Sequence, residues 1–480
     1  MRKKFLLLMM IICSVFVVVS CGKTGGPTGG KTQGGGTFWD QDGNGVEDWQ
    51  EEEITLTYAT WQHATEESIT IDSLMVEEFT KKYPNVKVEM QIVPGLEDEW
   101  TNALVTLQET NEVPDVFLVN RLGDLLPNNL LADITEMWNN DPQTQYIFDS
   151  VRDLSVVKGK RYVVPTAFYP QFWVVNKEVL KNAGVPLPSY DWTWEQMESI
   201  GKAVNDISKN VIGIWGTAQY YYEYPKVLDP ETHPYAYGYD GKGFNYSSDA
   251  YLEAMNALET AYLKEGYVVN GLSEDELLER YGSTTADPRY MNKVGIFREP
   301  VWRLKDRLDE IKDNIDIYPG PGGVAGGNTD IAGISATCEH KQAAYQFLKW
   351  MSYSEEGVLK RFELYKKYKD SDELATSGNN YPYPIVDYGM DGKGKNAIWD
   401  NIPYGDTAPG LVSPEFLESI RNAATQANKE VIGWKDVETV VQPYFSQVLA
   451  GGDNPIDFIS IVEAMQEAAN IAYNNAISKV

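Results

Sequence analysis

Two patterns in this 480-residue chain are built from residues that could do chemistry. The first is a run of oxygen donors, Asp40-Gln41-Asp42-Gly43-Asn44-Gly45-Val46-Glu47-Asp48-Trp49-Gln50-Glu51. It satisfies D-x-[DN]-x-[DN]-G-x5-E at every fixed position. Asp40, Asp42 and Asn44 converge from loop positions one, three and five, and Gly45 permits a sharp turn. Val46 offers its carbonyl, Asp48 binds directly or through water, and Glu51 closes the site with two oxygens. That set suits a hard cation, and the expectation is a structural Ca2+. The second pattern is the thiol of Cys21, which ends Val18-Val19-Ser20-Cys21 behind Arg2, Lys3, Lys4 and an apolar run over 5–19. Charged start, apolar stretch and small residue before a cut describe a secretory signal. The apolar run is shorter than the roughly 17–25 residues of a spanning helix. Residues 1–20 are therefore expected to leave as a lipoprotein signal, with a diacylglycerol on the Cys21 thiol.

Residues 21–37, mostly Gly, Thr and Lys, read as a flexible tether reaching on the order of 20 Å. The acidic loop occupies 38–53. It resembles the loops of EF-hands, dockerins and thrombospondin type 3 repeats, and the preceding tether favours the dockerin-like form. Loss of residues 1–20 removes three basic residues and no acidic one, so the net charge of −29 becomes −32. Such a polyanion is repelled by nucleic acid and by anionic headgroups, so the only expected membrane link is the lipid. Of three cysteines, Cys13 leaves, Cys21 carries lipid and Cys338 stands alone. No disulfide staples the mature chain, and stability must come from a large core.

The elements that must position a site begin at Ile54. Residues 54–61 alternate as a strand, Ile71, Leu74, Met75 and Phe79 fall at helical spacing, and Val86, Val88, Met90 and Ile92 alternate again. A helix over 96–107 and a short buried strand over 113–119 follow. Strand–helix–strand–helix–strand means a parallel sheet with right-handed crossovers, whose ligands lie beyond the carboxyl ends of the strands. Those ends are Trp61-Gln62-His63 and Asn120-Arg121.

Several stretches carry a resemblance. Tyr162-Val-Val-Pro165 through Asn176-Lys177 is similar to a lobe-crossing strand with its "YNK" ending. Tyr190-Asp-Trp192-Thr-Trp194-Glu195 is similar to the helix opening after it. Val294 to Trp302, Asp330 to Ser335 and Ala343 to Leu348 complete the series. Together they resemble the extracellular solute-binding proteins of ABC importers, the sugar-binding family related to maltose-binding protein. The resemblance implies an α/β fold of two discontinuous lobes joined by a hinge. The first lobe is expected over 54–167 plus 317–353, and the second over 168–316 plus 354–480. It further implies a monomer that closes on an oligosaccharide and docks on permease subunits. A lipid anchor fits the outer face of a Gram-positive cell membrane.

A sugar site wants aromatic faces and planar polar groups. By position, the candidates are Trp61, Gln62, Asn120, Arg121, Phe168, Tyr169, Trp215, Tyr220, Glu299, Trp302 and Trp399. Arg298 and Glu299 either face the cleft, allowing a charged or amino sugar, or pair with each other at a helix start. Two other functional classes compete. A secreted carbohydrate enzyme would use two carboxylates, but acids are too abundant for any pair to stand out, and no G-x-S-x-G elbow or zinc-spaced pair occurs. A calcium-dependent adhesin or scaffold component would fit the acidic loop, although a dockerin carries two such loops and one is found.

Overall fold

The computed structural model describes residues 36–61, 68–375, 383–388, 399, 408–451 and 456–480. The signal, Cys21, most of the tether and Gln62 lie outside the described residues. The first lobe opens on β1 (Ile54–Ala59), β2 (Val86–Met90) and β3 (Val116–Val119). β1 pairs in parallel with both. Val86 and Val88 point inward from β2 while Lys87 and Glu89 face solvent, the alternation of a strand with one wet side. β3 is buried at all four positions. The Ile71–Lys82 helix starts on a Thr70–Ser73 capping box. The Glu97–Thr110 helix ends where Asn111 turns left-handed at φ 58°. Its Trp100 packs inward and donates Nε1–H to the Leu118 carbonyl at 2.9 Å.

A small hairpin of β4 (Val156–Val157) and β5 (Lys160–Arg161) precedes β6 (Val163–Asn176), which runs through both lobes. Its first half pairs antiparallel with β11 (Gly326–Ile334), itself paired to β3. Its second half pairs with β9 (Val294–Pro300) and β10 (Ile315–Tyr318). β9 continues in parallel into β7 (Ile212–Trp215), which pairs with β8 (Val268–Val269). Short β12 (Ala424–Gln426) pairs in parallel with the start of β11. The β6–β11 register slips between Asp330 and Ile331, a bulge that bends the ribbon where the lobes meet. Asn176 ends β6 and caps the next helix, accepting from the amides of Glu178 and Val179 at 3.1 Å each.

The second lobe is held by a core of aromatic rings. Trp194 and Tyr224 stack with centroids 4.1 Å apart. Tyr237 and Tyr246 pack on Phe445 of the Trp434–Leu449 helix, which runs beside the Phe458–Ile477 helix.

One expected boundary shifts. The Glu355–Tyr368 helix packs on the Ile71–Lys82 and Lys341–Ser352 helices, and Arg361 bridges to Asp72 at 2.7 Å. Backbone bridges Ile69–Leu374, Phe168–Tyr383 and Ile147–Val386 tie the following segment to the same lobe. Residues 354–375 and 383–386 thus sit with the first lobe, because their apolar side chains are buried there. The acidic loop is also docked on that lobe. Trp49 is buried against Tyr83, and Trp39 stacks on Tyr345 with centroids 5.6 Å apart.

Candidate functional site: a cleft between the lobes

Strand ends from both lobes meet at one gap. Trp61 follows β1, and Asn120 and Arg121 follow β3. Asn328 comes from β11, and Asn428 and Lys429 follow β12. Trp434, Lys435 and Glu438 sit on the first turns of the Trp434–Leu449 helix. With Leu96 and Asp98 these residues line a cleft of about 520 Å³. That volume lies within the roughly 300–1,000 Å³ of small-molecule sites.

The polar groups here divide into satisfied charges and open hydrogen-bonding atoms. Asp98 receives Lys435 from across the gap at 3.0 Å and also pairs with Arg121. Lys429 pairs with Asp330 and lies 5.3 Å from the Trp61 ring centre. The Leu122 amide donates to the Lys429 carbonyl at 2.8 Å, a second link between the walls. By contrast, Asn120 Nδ2, Asn428 Oδ1 and Trp434 Nε1 are buried and have no hydrogen-bond partner among the described residues. Buried polar atoms left open are costly, and three around one gap mark where an external polar molecule fits.

Of the sequence candidates, the structure brings Trp61, Asn120 and Arg121 together. Tyr169 lines an adjoining small cavity that shares Trp61, together with Asp72, Asp330 and Arg361; burial and the nearby Asp330 charge push its hydroxyl pKa well up. The others are elsewhere. Phe168 is core, and its ring lies where a side chain on Gly327 would go. Tyr220 is fully buried against Trp194. Trp399 is core, stacked on Phe148 and donating to the Val386 carbonyl at 3.1 Å. Trp215 is half-buried beside Arg289 and is absent from the cleft lining. Trp302 is 47% exposed on the surface. Arg298 and Glu299 do not pair with each other: Arg298 pairs with buried Glu223 at 2.7 Å, Glu299 pairs with buried Arg307, and neither lines this cavity. Adjacent strand residues point to opposite faces, so each finds its own partner. Burial lifts the Glu223 carboxyl to about 7 against the pull of Arg298.

Sequence reasoning missed Asn328, Asn428, Lys429, Trp434, Lys435 and Glu438. The only local signal was the β-prone Ala424–Gln426 triplet, too short to read as a strand.

In the acidic loop, oxygens of Asp40, Asp42 and Asp48 lie within 4.8 Å of one another. Gly45 takes φ +92°, the left-handed turn the pattern requires. The Asn44 side-chain amide donates to Asp42 at 3.1 Å and to Glu51 at 2.7 Å. Its partly positive end thus sits among the carboxylates where a cation would fit. Amides of Asn44 and Gly45 donate to Asp40 and hold its carboxyl below the usual range.

The family model for bacterial extracellular solute-binding proteins matches residues 64–357, more than half of the sequence. The chain belongs to this family. Among curated relatives, this solute-binding chain is 23% identical over 373 residues to the arabinooligosaccharide-binding protein of Bacillus subtilis, covering 74% of this chain and 76% of the relative. Among solved structures it is similar to an ABC substrate-binding protein of Listeria monocytogenes in complex with cycloalternan. That likeness has TM-score 0.57 and 20% identity, and covers 89% of this chain and 99% of the other. An open sugar transporter structure from Rhizobium etli matches at TM-score 0.64 and 17% identity, covering 86% and 98%. These likenesses show a shared two-lobe fold.

Proposed function

We propose that this solute-binding protein captures an oligosaccharide between its lobes and hands it, unaltered, to an ABC permease. The observation that carries this reading is the set of open polar atoms, Asn120 Nδ2, Asn428 Oδ1 and Trp434 Nε1, beside the half-buried indole of Trp61. Sugar rings present apolar faces to an indole and hydroxyls that both donate and accept. The relative from Bacillus subtilis, named for arabino-oligosaccharides, supports the same class of ligand. The lipid on Cys21 would keep the monomer at the outer face of the cell membrane. Ca2+ held by Asp40, Asp42, Asn44, Val46, Asp48 and Glu51 would stiffen the join between tether and body. A thermal-shift screen over neutral oligosaccharides, with each mixture then analysed by chromatography, tests the capture reading. Capture predicts stabilisation and intact sugar. Release of shorter products would instead establish a carbohydrate enzyme.

A further inference from the structure

Among the described residues, Glu438 is the one carboxylate lining the cleft without an ion pair or a protein donor. It lies one helical turn beyond Trp434 and lines the gap, half-buried. Asp98 has Lys435 and Arg121, and Asp330 has Lys429. For Glu438 no hydrogen bond or ion pair is found among the described residues. Its neighbours are phenols: its charge opposes ionisation of Tyr221, Tyr222, Tyr237 and Tyr246. Yet the hydroxyls of Tyr237 and Tyr246 have no hydrogen-bond partner themselves, so they do not reach it. Burial alone raises its pKa, with no cation or donor acting the other way. Partly drawn out of water and without a protein donor, the carboxylate is open to hydrogen bonds from whatever fills the cleft.

We propose that Glu438 sets the ligand class: its carboxylate accepts hydrogen bonds from neighbouring hydroxyls of a neutral sugar ring, and its charge turns away sugars bearing carboxylate or phosphate. This rests on the oligosaccharide reading above. Trp434 and Glu438, four residues apart, share one helix face. Both line the gap, where Trp434 Nε1 lacks a protein partner and the Glu438 carboxylate can accept from a hydroxyl. The cations Arg121, Lys429 and Lys435 line the same gap but are each paired with an acid, so they do not offset the Glu438 charge toward an anionic sugar.

The test is calorimetric titration of the full chain with arabinotriose, xylotriose and maltotriose, with an aldotetraouronic acid as acidic probe. The wild type should bind at least one neutral probe and prefer it to the acidic one. Removing a charged hydrogen-bonding partner should lower that affinity on the order of 10- to 100-fold in Glu438→Gln and further in Glu438→Ala. Both variants should melt without sugar at or above the wild-type temperature. Unchanged affinity in Glu438→Gln, or a wild-type preference for the acidic probe, overturns the role of Glu438 and leaves sugar capture standing. Wild-type silence toward every probe overturns both readings.

Discussion

Trp61 sits at the gap with its ring edge against Trp100, centroids 5.2 Å apart, so its orientation is fixed before any ligand arrives. Trp61→Ala should therefore cost at least about tenfold in oligosaccharide affinity with little loss of fold. Trp302→Ala, which removes a 47% exposed ring absent from the cavity lining, should leave affinity unchanged. Paired calorimetric titrations check both. The contrast explains what was legible at this scale. Trp61, Asn120 and Arg121 were readable because strand ends predict where ligands meet a parallel sheet. Tyr220, Phe168 and Trp399 are the same kinds of residue, and nothing in their immediate neighbours reveals that distant segments bury them. Of 13 tryptophans and 30 tyrosines, local sequence cannot sort platform from core, since burial is decided by long-range packing.

The crossing ribbon is where single residues act through whole elements. Gly327 on β11 faces Phe168, and an added Cβ would meet that ring at 2.5 Å and the Tyr169 carbonyl at 2.6 Å. Gly327→Ala should lower the melting temperature clearly, because β6 passes through both lobes and has little freedom to retreat. Behind β11, Glu430 is buried and hydrogen-bonded to Thr329, and burial lifts its carboxyl to about 8 from 4.5. As pH rises, the unfolded chain loses this proton first. Stability contributed by the protonated form is thus full below pH 4.5 and declines through about 8. Glu430→Gln should flatten the fall in melting temperature across that window, measured by calorimetry from pH 5 to 9. The Asp98–Lys435 pair across the gap is exposed on both sides, and such pairs are worth at most about 1 kcal/mol. Asp98→Asn should weaken ligand binding only a few-fold, with the difference fading in salt. Alternating strands such as β2 were readable from period-two patterning. The Glu355–Tyr368 helix was placed in the wrong lobe because an amphipathic pattern says that a face is buried, not against which neighbour.

At the scale of the molecule, an acidic body is tied to a lobe by its own N-terminal loop. Because Trp49 and Trp39 anchor that loop in first-lobe packing, ordering it with Ca2+ should stabilise the lobe as well as the tether join. EDTA treatment of the full chain should lower the melting temperature by several degrees, with recovery on added Ca2+; an unchanged melt would remove the ion from the account. The two-lobe architecture was readable through the order and spacing of loose motifs, which preserve topology after individual side chains have diverged. The second-lobe wall of the cleft was not, because its residues follow a three-residue strand that takes shape only by pairing with β11. The central claim is that one gap between the lobes grips a sugar through Trp61, Asn120 and their counterparts. Its most direct measurement is calorimetric titration of wild type and a Trp61→Ala/Asn120→Ala double variant with the tightest-binding neutral oligosaccharide. The account predicts one sugar per wild-type molecule and no measurable binding in the folded double variant. Equal binding by both proteins would place the ligand elsewhere and contradict it.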